Sequence, residues 1–311
     1  MLAGGGVWVA RRGYDAPGPL AAPRDLIIPH GGPALVAVTL AEAGVIRWPV
    51  AFRVAAALTR SAGLLHAGEL AFPAHGSLRE VLGVLRTARP VEHFLTIPEG
   101  LTAAQIARLL DRAGATSGET PLPPEGAVLP QTYAYTYGTS RTALLRRAEA
   151  AMTAALARIW AERDRDLPLD GPGQLLTLAS LVEREAARPD ERAHIAAVFV
   201  NRLRLGMRLQ SDPTVAYAAT GGQVTAERGL TRDDLDMANP YNTYRVVGLP
   251  PAPIDSPGIT SLTAAAHPVP SDDLYFVADG SGGHVFARTL EEHTRNVARW
   301  RAMQAARSLE H

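Results

Sequence analysis

The sequence predicts an α+β chain in two parts: a small mixed module over residues 25–94 and a larger domain over residues 95–311. Three observations carry this. Residues 25–90 alternate short β-type runs with helical patterns. The later chain holds longer stretches with apolar residues at helical spacing. The balance of 47% hydrophobic and 20% charged residues in 311 is that of a chain able to bury a proper core.

The elements follow in order. Residues 11–24 are rich in Pro, Gly and Ala and read as a linker, so 1–24 stands apart from the module. Leu26 to Ile28 reads as a strand, and His30-Gly31-Gly32 as a turn. Ala34 to Ala43 reads as a helix closed by Gly44. Pro49 suits a first helical position and opens a helix to about Arg60. Gly68 to Phe72 reads as a strand, and Ser77-Leu78-Arg79-Glu80 is a capping box opening a third helix. Beyond the module, His93 to Ile97 is a strand candidate, and the capping box at Thr102 leads a helix to about Ala113. Residues 115–130 read as loop, Arg141 to Arg163 as a long helix, Gln174 to Arg188 as another, and Ala193 to Arg204 as the next.

Composition excludes several chemistries. The formal net charge is zero, which gives no electrostatic footprint for nucleic acid. The chain has no Cys, so it has no disulfide, thiolate nucleophile or Cys-ligated zinc. It has no Lys, hence no Walker-A or Schiff-base lysine. The nine His form no HExxH, and neither a dinucleotide fingerprint nor a GxSxG elbow is present. No metal or cofactor is expected. The first ten residues, MLAGGGVWVA, are apolar and precede Arg11-Arg12. A spanning helix needs about 20 apolar residues, so this stretch cannot span a bilayer alone. It reads either as a loose apolar tail or as the end of an anchor.

The segment QLLTLASLVEREAAR, residues 174–188, places a carboxylate on an apolar stripe. Leu178, Leu181 and Val182 follow the i, i+3, i+4 rule, and Glu185 comes next at i+7, within roughly 20° of Leu178. Desolvation there raises a carboxyl pKa, which equips the group to donate a proton near neutral pH. A solvated helix end or an ion pair with Arg184 or Arg188 is the plainer alternative. Glu183 points about 140° away and is carried only as a supporting residue. Gln210-Ser211-Asp212 before Pro213 reads as turn chemistry and offers hydrogen-bonding groups for a sugar ring. Tyr241, Asn242 and Tyr244 combine aromatic faces with an amide, which suits N-acetylated sugars. Each patch alone reads better as an ordinary structured loop.

Taken together these stretches resemble a known family. ASLVEREAARPDERAHIAAVFVNRLRLGMRLQSDPTVAYA, residues 179–218, is similar to the endolytic murein transglycosylases (MltG/YceG-like). So are Tyr241-Asn242-Thr243-Tyr244, Gly248-Leu249-Pro250-Pro251, Ala264-Ala265-Ala266-His267-Pro268, and the run from Leu274 to Phe286. The resemblance spans roughly the last two-thirds of the chain. It implies that the second Glu of the ExE pair, Glu185, is catalytic, in a lysozyme-like domain preceded by a LysM-like module. It implies cleavage of the MurNAc–GlcNAc bond of peptidoglycan glycan strands with 1,6-anhydro-MurNAc ends, which limits nascent glycan elongation. The candidate glycan-binding set is then Glu183, Gln210, Ser211, Asp212, Tyr241, Asn242 and Tyr244. The resemblance further implies peptidoglycan synthases as partners and a single-pass inner-membrane anchor, with the catalytic domain in the periplasm. GGGVWVARR, residues 4–12, resembles the outer end of that anchor. Two rival readings remain: a lysozyme-type hydrolase using the same Glu, and a peptidoglycan-binding assembly factor without essential catalysis.

Overall fold

A computed structural model describes residues 13–223 and 229–308. The chain mixes helices and strands and divides into two compact units. The first unit takes in the chain up to Leu95 and two later returns, Gly114–Ser117 and Ala134–Ser140. The second takes in Thr96–Ala113, Gly118–Tyr133 and the chain from Arg141 onward.

The first unit runs β1 (Arg24–Ile28), α1 (Pro33–Glu42), α2 (Pro49–Leu58), β2 (Gly68–Phe72), α3 (Leu78–Thr87) and β3 (Glu92–Thr96). This is the strand, helix, helix, strand, helix order that the apolar spacing predicts. β1 and β2 pair antiparallel, with Leu26 opposite Leu70. Ile28, Leu70 and Phe72 turn inward from the strands, and Leu40, Phe52, Leu82 and Leu85 meet them from the helices. Burial of these side chains holds the unit together, since a two-stranded ribbon is marginal alone. The Ser77 capping box forms: the Ser77 amide donates to Glu80 Oε2 at 2.8 Å, and the Glu80 amide donates to Ser77 Oγ at 3.3 Å. The returns supply β4 (Thr116–Ser117) and β6 (Thr139–Ser140), which pair in parallel; β5 (Thr132–Thr136) pairs with β3. None of these last three strands is foreseen by the sequence reading; β4 and β6 are too short, at two residues each, to show a period.

The second unit contains α4 (Ala103–Asp111), α5 (Arg141–Glu162), α6 (Pro172–Glu185), α7 (Arg192–Arg204), α8 (Asp212–Thr220), α9 (Arg232–Asp236) and α10 (Ile259–Ala266). The antiparallel hairpin β7 (Tyr275–Ala278) and β8 (His284–Ala287) and the helix α11 (Leu290–Ser308) complete it. α6 forms its centre: Leu175, Leu178, Leu181 and Val182 are fully buried, packed against the faces of α7 and α10.

Two readings are corrected here. The helix expected to reach Arg188 ends at Glu185, because Ala186 leaves the helical region with ψ 101°. Asp212 and Pro213, read as a turn, begin α8: Ser211 is its N-cap and the proline sits in its first turn, where a missing N–H costs nothing. Among the described residues no helix is long and apolar enough to cross a membrane. The apolar start read as an anchor end, residues 1–10, lies outside the described residues.

Candidate active site

Glu185 closes α6 on the same stripe as Leu178, Leu181 and Val182, and is itself partly buried. Ser211, 1% exposed, donates its hydroxyl to Glu185 Oε1 at 2.6 Å. The Glu185 pKa is pushed from 4.5 to about 7. Burial is the largest cause; the Ser211 hydrogen bond opposes it, the Asp212 charge adds to it, and Arg184 and Arg202 oppose it. A raised carboxyl pKa means the acid form persists close to neutral pH.

A cleft of about 630 Å³ opens beside this carboxyl group. Glu185, Arg202, Gln210, Asp212 and Tyr244 form its polar side. Tyr275, Phe276 and His284 from the hairpin, and His293 and Trp300 from α11, add ring faces. Tyr275 and His293 stack at 5.1 Å between centroids. This combination of a few convergent polar groups with aromatic walls is that of a ligand-binding cleft.

Hydrogen bonds explain how distant sequence segments meet there. The Gln210 amide donates to the Thr243 carbonyl at 3.1 Å, and the Ser211 amide to Thr243 Oγ1 at 2.9 Å. Thr214 and Thr243 hydroxyls lie 2.8 Å apart. Tyr244 then reaches over to donate its hydroxyl to Asp212 Oδ1 at 2.6 Å. Gln210 is held at φ +53°, a left-handed conformation that non-glycine residues rarely adopt. Such strain persists where the surroundings over-determine it.

Among the expected glycan-binding residues, Gln210, Asp212 and Tyr244 line the cleft with Glu185, and Ser211 stands behind it. Tyr241 and Asn242, expected beside them, do not line this cleft, and neither does Glu183, expected only as a supporting residue. Asn242 is fully buried. Its amide donates to the carbonyls of Leu235 at 3.0 Å and Met237 at 2.9 Å, and its Oδ1 accepts from the Tyr244 amide at 3.0 Å. It spends its hydrogen bonds on shaping the loop that carries Tyr244. Tyr241 tilts against Tyr217, 4.9 Å between centroids, and joins the apolar core. Glu183, with its side chain 6% exposed, accepts from Arg192 Nη2 at 3.1 Å and from the Gly258 amide at 3.0 Å. It fastens α6 to the start of α10. A Cβ at Gly258 would meet the Glu99 carboxylate, which would have to swing aside.

Arg202 is one of the cleft residues that the sequence reading missed. It is 7% exposed, and it donates Nε to the Leu274 carbonyl at 2.6 Å and Nη1 to the Leu209 carbonyl at 2.7 Å. It thereby ties the hairpin to the segment before Ser211. The signal was present: Ile195, Val198, Phe199 and Arg202 repeat the i, i+3, i+4, i+7 spacing that singled out Glu185. Tyr275, His284, His293 and Trp300 carried no comparable spacing signal.

A carboxylic acid partly protonated near pH 7, lining a polar and aromatic cleft, defines a site equipped for general acid–base work. The chain belongs to the YceG-like family, whose model matches residues 27–299. It is 38% identical over 179 residues to an endolytic murein transglycosylase of Streptococcus pneumoniae, 56% of this chain and 32% of that protein. It is 48% identical over 122 residues to an endolytic murein transglycosylase of Bacillus subtilis, 39% of this chain and 33% of that protein. The matches thus span about a third of the length of these curated relatives. A 2.6 Å crystal structure of a YceG-like protein from Listeria monocytogenes is similar with a TM-score of 0.54 and 28% identity, over 88% of this chain and 99% of that one.

Proposed function

We propose that the chain is an endolytic lytic transglycosylase that cleaves the MurNAc–GlcNAc bond within peptidoglycan glycan strands. The observation that carries this reading is Glu185, an acid raised to about 7 in a cleft with ring faces and hydroxyl partners. Membership of the YceG-like family and the names of the relatives support it.

The chemistry needs one titratable group in two roles. Protonated Glu185 donates its proton to the glycosidic oxygen as that bond breaks. The carboxylate so formed takes the proton of the muramyl C6 hydroxyl, whose oxygen attacks C1. A 1,6-anhydro ring forms, the acid is regenerated and no water is consumed. The Ser211 hydroxyl steadies the carboxylate between the two transfers, and burial, which favours the protonated form, draws the second proton to it. Glu185 and the cleft-lining Gln210, Asp212 and Tyr244 are the residues assigned to substrate; Ser211, Glu183, Tyr241 and Asn242 support them from behind.

The first unit is read as a LysM-like module that positions glycan, and the second as a lysozyme-like catalytic domain. The same reading assigns an inner-membrane anchor at the N-terminus, a periplasmic catalytic domain and peptidoglycan synthases as partners. One observation favours a second reading, hydrolysis: Asp212 supplies a second carboxylate at the cleft, the usual equipment of a glycosidase. The test is turnover of purified glycan strands by the chain and by Glu185→Gln. Loss of about 10² to 10⁴-fold in rate is expected for a general acid–base group, and an active, folded Glu185→Gln would end the assignment.

A further inference from the structure

Helix α2 is apolar on both of its sides. Phe52 and Ala56 face the core of the first unit, while Val50, Val54 and Leu58 face outward, 69%, 53% and 80% exposed. Their i, i+4, i+8 spacing lays them along one line of the helix surface. Trp48 just before the helix is 71% exposed, and Leu64 just after it is 82% exposed. A helix whose outward side is mostly apolar is the pattern of an element covered on both sides.

Charge indicates what covers it. From Ala43 to Gly68 the chain carries Arg47, Arg53 and Arg60 and no Asp or Glu. All three arginines are exposed. From the neighbouring α3, Arg86 donates to the Ala56 and Gly63 carbonyls and adds a fourth guanidinium at the C-terminal end of α2. A second copy of this face would set these arginines against one another, which disfavours self-association. A glycan would need directed donors and acceptors between the aromatic groups, and the outer line of α2 offers only Arg53. An anionic lipid surface meets every feature. Valine and leucine enter the acyl boundary, the Trp48 ring takes the headgroup level, and the arginines meet phosphate while their stems lie on the apolar surface.

We propose that the outer face of α2, with Trp48 and Leu64, rests on an anionic lipid bilayer. This is independent of the cleft and of any anchor in residues 1–10. The experiment is flotation of the full chain with vesicles of phosphatidylglycerol and phosphatidylcholine at equal parts, and with phosphatidylcholine alone. Binding is expected to the anionic vesicles and to weaken with salt. The triple variant Val50→Ser/Val54→Ser/Leu58→Ser should bind at least tenfold more weakly. Arg53→Gln/Arg60→Gln should lose about fivefold per charge. All five positions are solvent-exposed, so the circular dichroism spectrum and melting midpoint should stay those of the parent. Residues 1–10 are present in every protein compared, so binding through them appears as what the triple variant retains. Equal binding by parent and triple variant overturns the proposal. So does binding that ignores lipid charge. A concentration-dependent dimer abolished by the triple substitution, with no vesicle binding, assigns the face to a second copy. Loss of binding to insoluble peptidoglycan with vesicle binding unchanged assigns it to glycan.

Discussion

Replacing Glu185 by Gln should stabilise the protein, and by an amount that depends on pH. The folded chain holds this carboxyl group at about 7 against an ordinary value of 4.5. Below pH 4.5 the group is protonated in both folded and unfolded chains and has no effect on stability. Between 4.5 and about 7 the unfolded chain ionises while the folded chain keeps its proton, so stability falls as pH rises. Above about 7 the loss is complete, at about 3 kcal/mol given ~1.4 kcal/mol for each tenfold change in proton affinity. The replacement amide does not ionise, and its oxygen can still accept from the Ser211 hydroxyl that now serves the carboxylate. Urea unfolding of both proteins at pH 5 and pH 8.5 reads the difference. The advantage of Glu185→Gln should grow by about 2–3 kcal/mol between those two values. Asp255, fully buried and also raised in pKa, titrates in both proteins and cancels from the comparison. A difference in stability that does not change with pH would refute the claim that burial raises the Glu185 pKa.

Other perturbations have distinct outcomes. Turnover should fall above about pH 7 as Glu185 loses its proton, and a pH–kcat/KM profile flat to pH 9 would count against it. Asn242→Ala removes a fully buried side chain bonded to four backbone groups, so it should cost roughly 2–4 kcal/mol in urea unfolding and also lower turnover. A variant as stable as the parent would show that the loop holds without it. Glu183→Gln leaves Arg192 short of its nearer carboxylate and should cost about 1–3 kcal/mol while turnover survives, measured at a temperature where the variant is folded. Asp255→Asn should raise the melting midpoint more at pH 8 than at pH 5, because both oxygens of the buried carboxylate have no hydrogen-bond partner in the structure.

Much of the fold was legible because its signals are local. Capping boxes at Ser77 and Thr102 and the i, i+3, i+4 stripes of α6 and α7 mark their elements within a dozen residues. β4 and β6 were not legible, since a two-residue strand has no period to read. The hairpin β7–β8 and α11 carry no comparable local signal, although the hairpin's segments carry part of the family resemblance. Within the site, one argument about burial singled out Glu185, and the same argument applied to α7 finds Arg202. The loop residues failed for a different reason. Chemistry that suits a sugar also suits a scaffold, and side-chain type does not say which way the chain turns. Asn242 donates to backbone carbonyls rather than facing the cleft, while Tyr244, two residues on, faces it. The three-residue difference at the end of α6 matters for the same reason: it puts Glu185 in the last turn, where its carboxyl group meets Ser211 and the cleft together.

The most direct test of the central claim is mass spectrometry of the glycan products released by the purified chain in water enriched in oxygen-18. Intramolecular attack by the muramyl C6 hydroxyl predicts 1,6-anhydro-MurNAc ends that carry no label, and no such product from Glu185→Gln. Reducing ends carrying oxygen-18 would show that water attacks instead, with Asp212 and Glu185 acting as a hydrolytic pair, and would contradict the account.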